Sequence, residues 1–481
     1  MSTTRKHVAV PTSGSGSGAG ASAGKRVAVL GAGIAGLVAA TELRRHGVDV
    51  VVHEAGPRVA GMAESHNDPD GFSYDTGAHF ITNRLAAAVG VDDRCRTVHR
   101  YGEAVFLPDG SVASYPFGLM RKGRFVASAA SARLAGLRER STPQTATEFF
   151  QAEYGGIMAD EVVLPLIEAW SGAPGVELAA AVGQKIPTSI VQTMWLKAAT
   201  RLTRRAVAIG YCAEMPQSMH VWHVYPEGGV SLLCETLAAG LGDAVRLDSP
   251  VERVIVEDER VVAVVVGGQR EQVDGVVSTA PINVLPRLME GTERLERFAA
   301  FRYRPMVFAN LRFEGRDLLP DVVMWVPDRS LSFFRLTEAP MSMPWLAPEG
   351  KTMITADLGT TVGSEIWDMD PDDLGERCLE AMDGLMPGLR ERYLGCRVVK
   401  TPIAYPVFSI DYEADRADLA AHGTGVGGLL SVGRNGEFDH ILMEDIYWRT
   451  TRRIRQWLAV DGSGDVTEGA VPGTGGVERT A

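Results

Sequence analysis

The sequence predicts an α/β protein with more than one domain, and three observations lead to that prediction. An apolar run, "KRVAVLG", precedes "IAGLVAATELRRHG", in which apolar residues recur at helical spacing. A second apolar run, "VDVVVHEA", follows and ends at Glu54, so the order is strand, helix, strand. The chain has 481 residues, which is more than one hydrophobic core usually serves.

Three glycines between the first strand and the helix form a G-x-G-x-x-G turn. Gly31 permits a tight turn, Gly33 lets the backbone approach a pyrophosphate, and Gly36 lets the helix pack closely on the strand. The free N–H groups at the start of the helix favour a phosphate, and Glu54 is placed to accept hydrogen bonds from a ribose. The unit therefore predicts a dinucleotide site, and a purely structural glycine turn is the alternative.

Composition excludes several classes of protein. The net charge of −12 argues against a nucleic-acid partner, which would require a basic face. The five cysteines are scattered without a CxxC pair, so we expect no disulfide framework, no metal site and a reducing, cytoplasmic setting. No apolar segment is long enough to predict a membrane span. Residues 1–24 and 461–481 are predicted to be a disordered leader and a disordered tail.

Three later segments carry a resemblance to a known family. These are "HEAGPRVAGMAES", "DGFSYDTGAHFI" and "GLLSVGRNGEFDHILMEDIYWRTTRRI". Together with the first turn they resemble the flavin-dependent amine oxidase superfamily, most nearly the branch of phytoene desaturases, protoporphyrinogen oxidases and UDP-galactopyranose mutases. Segments such as "SVASYPFGLM", "YPEGGVSLLCETLAAGL" and "DGVVSTAPINVL" follow in the order of that branch, so the resemblance covers residues 25–460.

The resemblance implies FAD as the cofactor and assigns residues to it. The implied FAD-binding residues are Gly31, Gly33, Ile34, Ala35, Gly36, Glu54, Ala55, Arg58, Gly61, Met62, Gly77, Ala78, His79, Val251, Gly433, Arg434, Glu444, Asp445 and Ile446. No cysteine lies near the last motif, so we expect FAD to be bound non-covalently. His79 is the candidate catalytic residue, and a loop histidine that caps backbone groups is the alternative.

The chain departs from the superfamily pattern in two places. Ala60, Gly61 and Met62 stand where many members have G-G-R, and "GEFDHILMED" replaces a pattern with tyrosine, asparagine and aspartate. The first difference is familiar in the desaturase and mutase branch and points away from the amine oxidases proper. The second difference bears on the substrate assignment more than on FAD binding.

The resemblance also implies the domain organisation. We expect a discontinuous Rossmann-type FAD-binding domain formed by 25–90, 222–285 and 424–460. Residues 91–221 and 286–423 should form a second, mixed α+β substrate domain, with the site between the two.

Other features allow two interpretations each. Lys197, Arg201, Arg204 and Arg205 recur at helical spacing and form either a solvated face or a site for an anionic substrate. The arginines between residues 449 and 455 are expected to be solvated.

Two histidines and several aromatic residues allow two interpretations as well. His220 and His223 form an HxxH pair, but the surrounding alternation predicts a strand that separates them, so a metal is not expected. The aromatic residues Trp222, Tyr225, Trp325, Phe333, Phe334 and Trp345 either wall a substrate pocket or pack in the core.

The leading functional hypothesis is a FAD-dependent oxidoreductase (a dehydrogenase, oxidase or desaturase). It would take a hydride from an organic small molecule to flavin N5 in a specialised biosynthetic pathway, with oxygen or a quinone as the acceptor. One alternative is a redox-neutral enzyme that resembles UDP-galactopyranose mutase and acts on a sugar nucleotide through reduced FAD. The other is a catalytically silent flavoprotein scaffold. The sequence indicates neither the substrate nor the oligomeric state.

Overall fold

The computed structural model describes residues 24–77, 80–136, 142–185, 195–197, 199–200 and 203–462. The predicted leader, 1–24, and tail, 461–481, lie outside these ranges except for residues 24, 461 and 462. Three residues singled out above, Ala78, His79 and Arg201, also lie outside the described residues.

The strands of the described residues are numbered in chain order. They are β1 Arg26–Leu30, β2 Asp49–His53, β3 Ser65–Asn67, β4 Ser73–Asp75, β5 Ile81–Thr82, β6 Cys95–Thr97, β7 Glu103–Phe106, β8 Val112–Ser114, β9 His223–Pro226, β10 Val245–Arg246, β11 Val251–Glu257, β12 Arg260–Val266, β13 Gln269–Gln272, β14 Gly275–Ser278, β15 Met289–Glu290, β16 Tyr303–Glu314, β17 Val323–Trp325, β18 Arg335–Thr337, β19 Lys351–Gly359, β20 Tyr393–Pro406 and β21 Leu429–Ser431.

The α-helices are numbered in the same way. They are α1 Ile34–Arg45, α2 Asn83–Val89, α3 Phe117–Met120, α4 Gly123–Gly136, α5 Ala146–Tyr154, α6 Gly156–Met158, α7 Leu164–Ser171, α8 Ser231–Leu241, α9 Leu285–Leu288, α10 Ala339–Ser342, α11 Glu365–Asp368, α12 Pro371–Leu385, α13 Glu413–His422, α14 Gly433–Gly436 and α15 Met443–Gly462. None of these helices combines the length and the apolarity that crossing a membrane requires.

The first three elements confirm the predicted strand–helix–strand unit. β1 and β2 pair in parallel, with α1 between them in the chain. A Cβ atom placed on Gly36 would lie 1.9 Å from the carbonyl oxygen of Gly31, so only glycine lets α1 start this close to the turn. Gly31 itself has a φ of +98°, which an L side chain rarely adopts.

A five-stranded parallel sheet contains this unit. Its strand order is β10-β2-β1-β14-β21, so it takes strands from the beginning, the middle and the end of the chain. Leu37 and Leu43 of α1 are fully buried in a core that also contains Leu233 of α8 and Ile454 of α15. This arrangement confirms the α/β fold class, because a parallel sheet with both faces covered requires apolar strands such as "VAVL".

A second, seven-stranded sheet has the order β20-β16-β19-β18-β17-β7-β8. Its neighbours are antiparallel except for β17 and β7, which are parallel. Helix α12 packs on this sheet through Leu374, Leu379 and Met382. The predicted mixed α+β part of the chain therefore lies around this sheet.

The division into two domains stays a prediction. Strand β6, from the segment assigned to the substrate domain, pairs with β9, from a segment assigned to the FAD-binding domain. A small three-stranded sheet, β5-β9-β6, thus joins residues from both assigned domains.

The expectation of solvated arginines on α15 is wrong for two of them. The side chains of Arg449 and Arg453 are 17% and 19% exposed. Arg449 pairs with Glu214 at 2.8 Å, and Arg453 pairs with Glu437 at 2.7 Å. Glu214, on a loop 235 residues earlier in the chain than Arg449, and Glu437, on the turn before α15, cover this face of the helix. The helical spacing of the arginines reveals neither contact.

Replacing Gly36 with alanine tests the close approach of α1 to the turn. Because the added methyl group meets a backbone oxygen that has no room to move, we expect Gly36→Ala to lower the free energy of unfolding by about 3 kcal/mol or more. Urea denaturation of the holoprotein measures the change. Gly240→Ala, at an exposed helix position with open space around it, is the control and should be neutral or stabilising by up to about 1 kcal/mol. Equal stability of the two variants would contradict the structure.

Candidate functional site

A cavity of about 400 Å³ lies at the carboxyl edge of the parallel sheet. Its lining includes Gly31, Glu54, Thr279 and Gly433, and each of these residues follows shortly after a strand of that sheet. Ligands of open α/β sheets bind at this edge, where the connections leave the strands. We call it the sheet-edge cavity.

The amino-terminal end of α1 faces the sheet-edge cavity, since Ile34 and Ala35 contribute to its lining. The cap residue Gly33 has no side chain to accept a hydrogen bond, and the first turn contains no acidic residue. The first N–H groups of the helix and its partial positive charge are therefore available to an anionic group.

Glu54 is held in a fixed position on the cavity wall. One carboxylate oxygen accepts a hydrogen bond from the Ala32 N–H at 2.7 Å, and the other accepts one from the Gly56 N–H at 2.9 Å. The side chain thus ties the glycine turn to the end of β2, and it keeps lone pairs directed at the cavity.

The opposite wall of the sheet-edge cavity is formed by the start of α14. A Cβ atom on Gly433 would lie 2.6 Å from the Ala35 Cβ, so the two helix ends approach closely across the cavity. Arg434 lies over the Tyr405 ring at 4.8 Å, and burial lowers the pKa of Arg434. The Arg434 Nε and the Asn435 Oδ1 are buried and have no hydrogen-bond partner among the described residues. Such atoms fit a polar ligand that reaches this wall.

Most of the predicted FAD-binding residues line the sheet-edge cavity. Those that do are Gly31, Gly33, Ile34, Ala35, Glu54, Gly61, Met62, Gly77, Gly433, Arg434, Glu444 and Ile446. Gly36, Ala55, Arg58, Val251 and Asp445 are not part of the lining, and Ala78 and His79 lie outside the described residues.

Two of the predicted residues that do not line the cavity make contacts elsewhere. Arg58 is exposed and pairs with Glu64. Asp445 accepts hydrogen bonds from the N–H groups of Ala213 and Glu214 at 2.7 and 3.1 Å, so it fixes a loop against α15. For these two residues the structure shows a structural contact, and a role toward a cofactor stays a prediction.

A second, larger cavity of about 1010 Å³ lies beside the first, and its wall is mainly apolar. We call it the apolar cavity. Residues that line it include Val105, Leu119, Met158, Val162, Leu166, Ile167, Val207 and Ile209, together with the rings of Tyr101, Tyr115, Phe117, Tyr154, Trp170 and Trp325. The lining comes from β7, β8, the helices between 117 and 171, and described residues farther along the chain, among them Lys197, Thr200 and several of 204–210. The sequence does not mark these segments as one site.

The two cavities share a wall. The Trp170 ring, in the apolar cavity, packs edge to face on His440 of the sheet-edge cavity at 4.6 Å between ring centroids. The Arg335 guanidinium, in the sheet-edge cavity, lies 5.6 Å from the centroid of the Trp325 ring in the apolar cavity. At these points two side chains in contact, one from each lining, separate the two spaces.

A cluster of polar groups lies in the same wall. The Tyr101 hydroxyl donates a hydrogen bond to Glu103 at 2.7 Å, and the Trp325 Nε1 donates another to Glu103 at 2.9 Å. Tyr211, which lines the sheet-edge cavity, and Tyr101, which lines the apolar cavity, both pack against the His223 ring. Burial raises the pKa of Tyr211 to about 12 and that of Tyr101 further, so both phenols stay protonated at neutral pH. No local motif marks Glu103, Tyr101 or Tyr211, and sequence reasoning missed all three.

Arg335 keeps its charge inside the wall. Burial alone would lower the pKa of Arg335, but the negative charge of its ion-pair partner Asp357 outweighs that effect and raises it. A fixed positive charge is thus present where the sheet-edge cavity meets the wall.

His223 fills the space behind this wall and is fully buried. Its ring contacts Tyr211 at 4.3 Å, Tyr101 at 5.4 Å and Phe80 at 5.5 Å between centroids. Burial lowers the pKa of His223 to about 4, so the ring is neutral at pH 7. His220 lies before β9 and is exposed, and within the described ranges no three metal-ligating side chains come together.

Comparison with known proteins identifies the family. The family model for flavin containing amine oxidoreductase matches residues 34–434. The chain belongs to this family. FAD is its cofactor and is bound non-covalently. Members of the family are oxidoreductases.

Individual relatives are distant. Protoporphyrinogen oxidase 2, chloroplastic/mitochondrial, of Arabidopsis thaliana is 29% identical over 172 residues. That match covers 31% of this chain and only 33% of the relative, so the chain matches about a third of the relative's length.

The solved structures that resemble the chain establish the fold. Reduced UDP-galactopyranose mutase superposes with a TM-score of 0.73 at 16% identity, covering 92% of this chain and 95% of that one. Putrescine oxidase bound to putrescine superposes with a TM-score of 0.60 at 16% identity, covering 90% and 99%. These likenesses confirm the fold of the family, and at such identities they say nothing about the substrate.

The buried, neutral His223 predicts a pH dependence of stability. Its pKa rises from about 4 in the folded chain to the ordinary 6.5 on unfolding, so the folded state loses stability as the pH falls from 6.5 toward 4. Between pH 7 and pH 5 the loss should be about 2 kcal/mol. We expect His223→Phe to remove this component, measured as a smaller difference in Tm between the two pH values than in the parent protein. His220→Phe, at the exposed histidine, should leave the difference unchanged. An equal pH dependence in the parent and in His223→Phe would show that His223 is not the group responsible.

Proposed function

We propose that this protein is a FAD-dependent oxidoreductase that removes a hydride from a carbon atom of an organic small molecule bound in the apolar cavity. One observation supports the proposal above all others: side chains that line the apolar cavity contact side chains that line the sheet-edge cavity, Trp170 with His440 and Trp325 with Arg335. Hydride transfer needs the reacting atoms about 3.5 Å apart, so the proposal requires the reacting carbon of the substrate to reach between these side chains to the cofactor.

The residues of the sheet-edge cavity are proposed to hold FAD along its length. The amino-terminal end of α1, at Ile34 and Ala35, would bind the pyrophosphate, and Glu54 would bind the adenosine ribose. Arg434 and Asn435 would direct their unpaired polar atoms at the cofactor from the opposite wall. FAD, when bound, supplies the hydride acceptor at N5. His79 and Ala78 remain proposed contacts from the sequence alone.

Glu103 is proposed to receive the proton that the substrate loses together with the hydride. Glu103 lines the apolar cavity, where its two carboxylate oxygens accept hydrogen bonds from the Tyr101 hydroxyl and the Trp325 Nε1. A proton lost by a substrate in that cavity would therefore pass to this carboxylate. Burial raises the pKa of Tyr101, so its hydroxyl stays protonated and does not compete with Glu103 for the proton.

The apolar lining disfavours the redox-neutral alternative. A sugar diphosphate needs several cations in its pocket, whereas the interior of the apolar cavity consists mainly of aliphatic and aromatic side chains. The proposal includes oxygen or a quinone as the final electron acceptor and a role in a specialised biosynthetic pathway.

Replacing Glu54 tests the assigned FAD site. Glu54→Ala removes two charge-assisted hydrogen bonds that hold the glycine turn, and it removes the proposed ribose acceptor. We expect the affinity of the apoprotein for FAD to fall by about 10- to 100-fold. Fluorescence titration of the apoprotein with FAD measures the change. Glu349→Ala, at an exposed glutamate, is the control. Unchanged affinity in Glu54→Ala would contradict the assignment.

A cavity-filling variant tests the proposed function. Ile209→Trp narrows the apolar cavity and does not touch the lining of the sheet-edge cavity. The holoprotein is incubated without oxygen with fractionated metabolite extracts of the source organism, and bleaching of the oxidised flavin is recorded. We expect one fraction to bleach the flavin of the parent protein. The variant should retain FAD, but the same fraction should not bleach it.

The matched control is Val176→Trp, which adds the same side chain at a position that is 58% exposed. The same metabolite fraction should bleach its flavin as it bleaches that of the parent protein. Equal bleaching of Ile209→Trp would show that the substrate binds elsewhere. Turnover of a sugar nucleotide that occurs only after reduction with dithionite would support the mutase type and overturn the oxidoreductase proposal.

A further inference from the structure

Lys197 is the one member of the predicted basic row that lies half-buried in the lining of the apolar cavity among the described residues. Its ammonium group donates a hydrogen bond to the backbone carbonyl of Tyr115 and lies 5.4 Å from the centroid of the Tyr115 ring. No carboxylate of the described residues forms an ion pair with it within 4.0 Å. Of the other members of the row, Arg204 and Arg205 are exposed, and Arg205 stacks over Trp222 at 4.1 Å.

A half-buried ammonium without an ion-pair partner is costly. Burial lowers the pKa of Lys197, which means that the cavity disfavours the charged form that the free side chain has. One carbonyl oxygen and one ring face replace only part of the lost hydration. An anionic group brought in by a ligand would complete the coordination of the ammonium and offset the cost.

The acidic residues around the apolar cavity already have partners. Both oxygens of Glu103 accept hydrogen bonds, one from Tyr101 and one from Trp325. Asp321 accepts a hydrogen bond from the N–H of Val322. Both carboxylates also raise the pKa of Lys197 through longer-range attraction, but neither contacts it. These hydrogen bonds offset part of the cost of burying the two carboxylates, whereas the Lys197 ammonium has one hydrogen bond for its three donor protons.

The remaining charged groups of the cavity also favour an anion. Arg100 and Arg204 are exposed side chains of the lining, so they lie on the solvent side. Arg100 pairs with Asp317 at 3.0 Å, and His99 is bonded to the backbone carbonyl of Arg204 at 2.9 Å. Asp317 compensates the charge of Arg100, so Arg204 is the group among these that presents positive charge to an entering anion.

Lys197 contacts the β7–β8 hairpin, which contributes Glu103 to the shared wall. Its partner Tyr115 directly follows β8, and the Tyr115 N–H donates to the Glu103 carbonyl of β7 at 2.8 Å. Glu103, on β7, and Tyr101, just before β7, therefore belong to the same hairpin region as the anchor. A ligand held at Lys197 would have its body between this hairpin and the aliphatic side chains of Val162, Leu166 and Ile209.

We propose that the apolar cavity binds an organic acid with a bulky apolar body, and that Lys197 holds its anionic group. This inference rests on the proposed function, since it names the substrate class for the cavity assigned there. Lys197 is a binding residue in this account and takes no part in the transfer of hydride or proton.

Two probes that share one ring system test the proposal. Anilinonaphthalene sulfonate carries an anionic group on an apolar body, and phenylnaphthylamine has a similar body without the charge. Equilibrium dialysis against the oxidised holoprotein measures both affinities without any turnover. We expect the parent protein to bind the sulfonate more tightly than the amine. Lys197→Met should lower the affinity for the sulfonate by about tenfold or more, and it should change the affinity for the amine by less than about twofold.

Further variants locate the binding and check the folding. Lys197→Arg keeps the charge and should retain the preference for the sulfonate. Lys351→Met removes a partly exposed lysine on β19 that does not line the cavity, and it should change neither affinity. Ile209→Trp should weaken both probes, because it fills the cavity. FAD content and Tm of each variant show whether the fold is intact.

Three results would overturn the inference. The first is an unchanged affinity for the sulfonate in Lys197→Met. The second is an equal loss of affinity for both probes in that variant. The third is an unchanged affinity for the sulfonate in Ile209→Trp. If Ile209→Trp still abolishes bleaching by the metabolite fraction, the proposed function stands and only the acidic substrate class fails. If the fraction bleaches Ile209→Trp fully while the probes behave as expected, the proposed function fails and the anion site remains.

Discussion

The carbonyl oxygen of Gly31 and the α carbon of Gly36 approach so closely that no side chain fits between them. This approach fixes where α1 begins relative to β1, and it therefore fixes the direction of the first N–H groups of the helix. Glu54 secures the turn from the other side through the N–H groups of Ala32 and Gly56. Gly433 then brings α14 against Ala35 across the cavity. The sheet-edge cavity exists because backbone segments that carry no bulky side chain meet at one edge of a parallel sheet.

The wall between the two cavities contains a carboxylate, a guanidinium and a neutral imidazole close to one another. Trp325 contacts both a carboxylate and a guanidinium, since its Nε1 donates to Glu103 and its ring lies 5.6 Å from Arg335. Arg335 stays charged because Asp357 is buried beside it, and His223 stays neutral because its neighbours are aromatic rings. In a medium of low polarity each charge needs a defined partner, so these contacts hold the wall in one arrangement.

The carboxy-terminal helix shows how ion pairs act over long sequence separations. Glu214 is bonded to Arg449 and Arg452, and these bonds lower its pKa although burial acts in the opposite direction. Asp445 binds the backbone of the same loop at Ala213 and Glu214. The loop is therefore held against α15, and Cys212 and Tyr211, which precede it, are positioned with it. Through Tyr211 the helix contributes indirectly to the shared wall.

The sequence by itself determined the first strand–helix–strand unit, the dinucleotide turn and the family. Gly31, Gly33, Gly36 and Glu54 lie within 30 residues of each other, so their geometry follows from local backbone rules that a pattern can express. Only the tertiary structure decided the apolar cavity, the shared wall and the place of Lys197. Glu103, Tyr211 and Lys197 come from separate segments, and their meeting depends on how a seven-stranded sheet packs beside a parallel one. Arg449 of α15 shows the same limit, because its burial depends on Glu214, 235 residues earlier in the chain, and not on helical spacing.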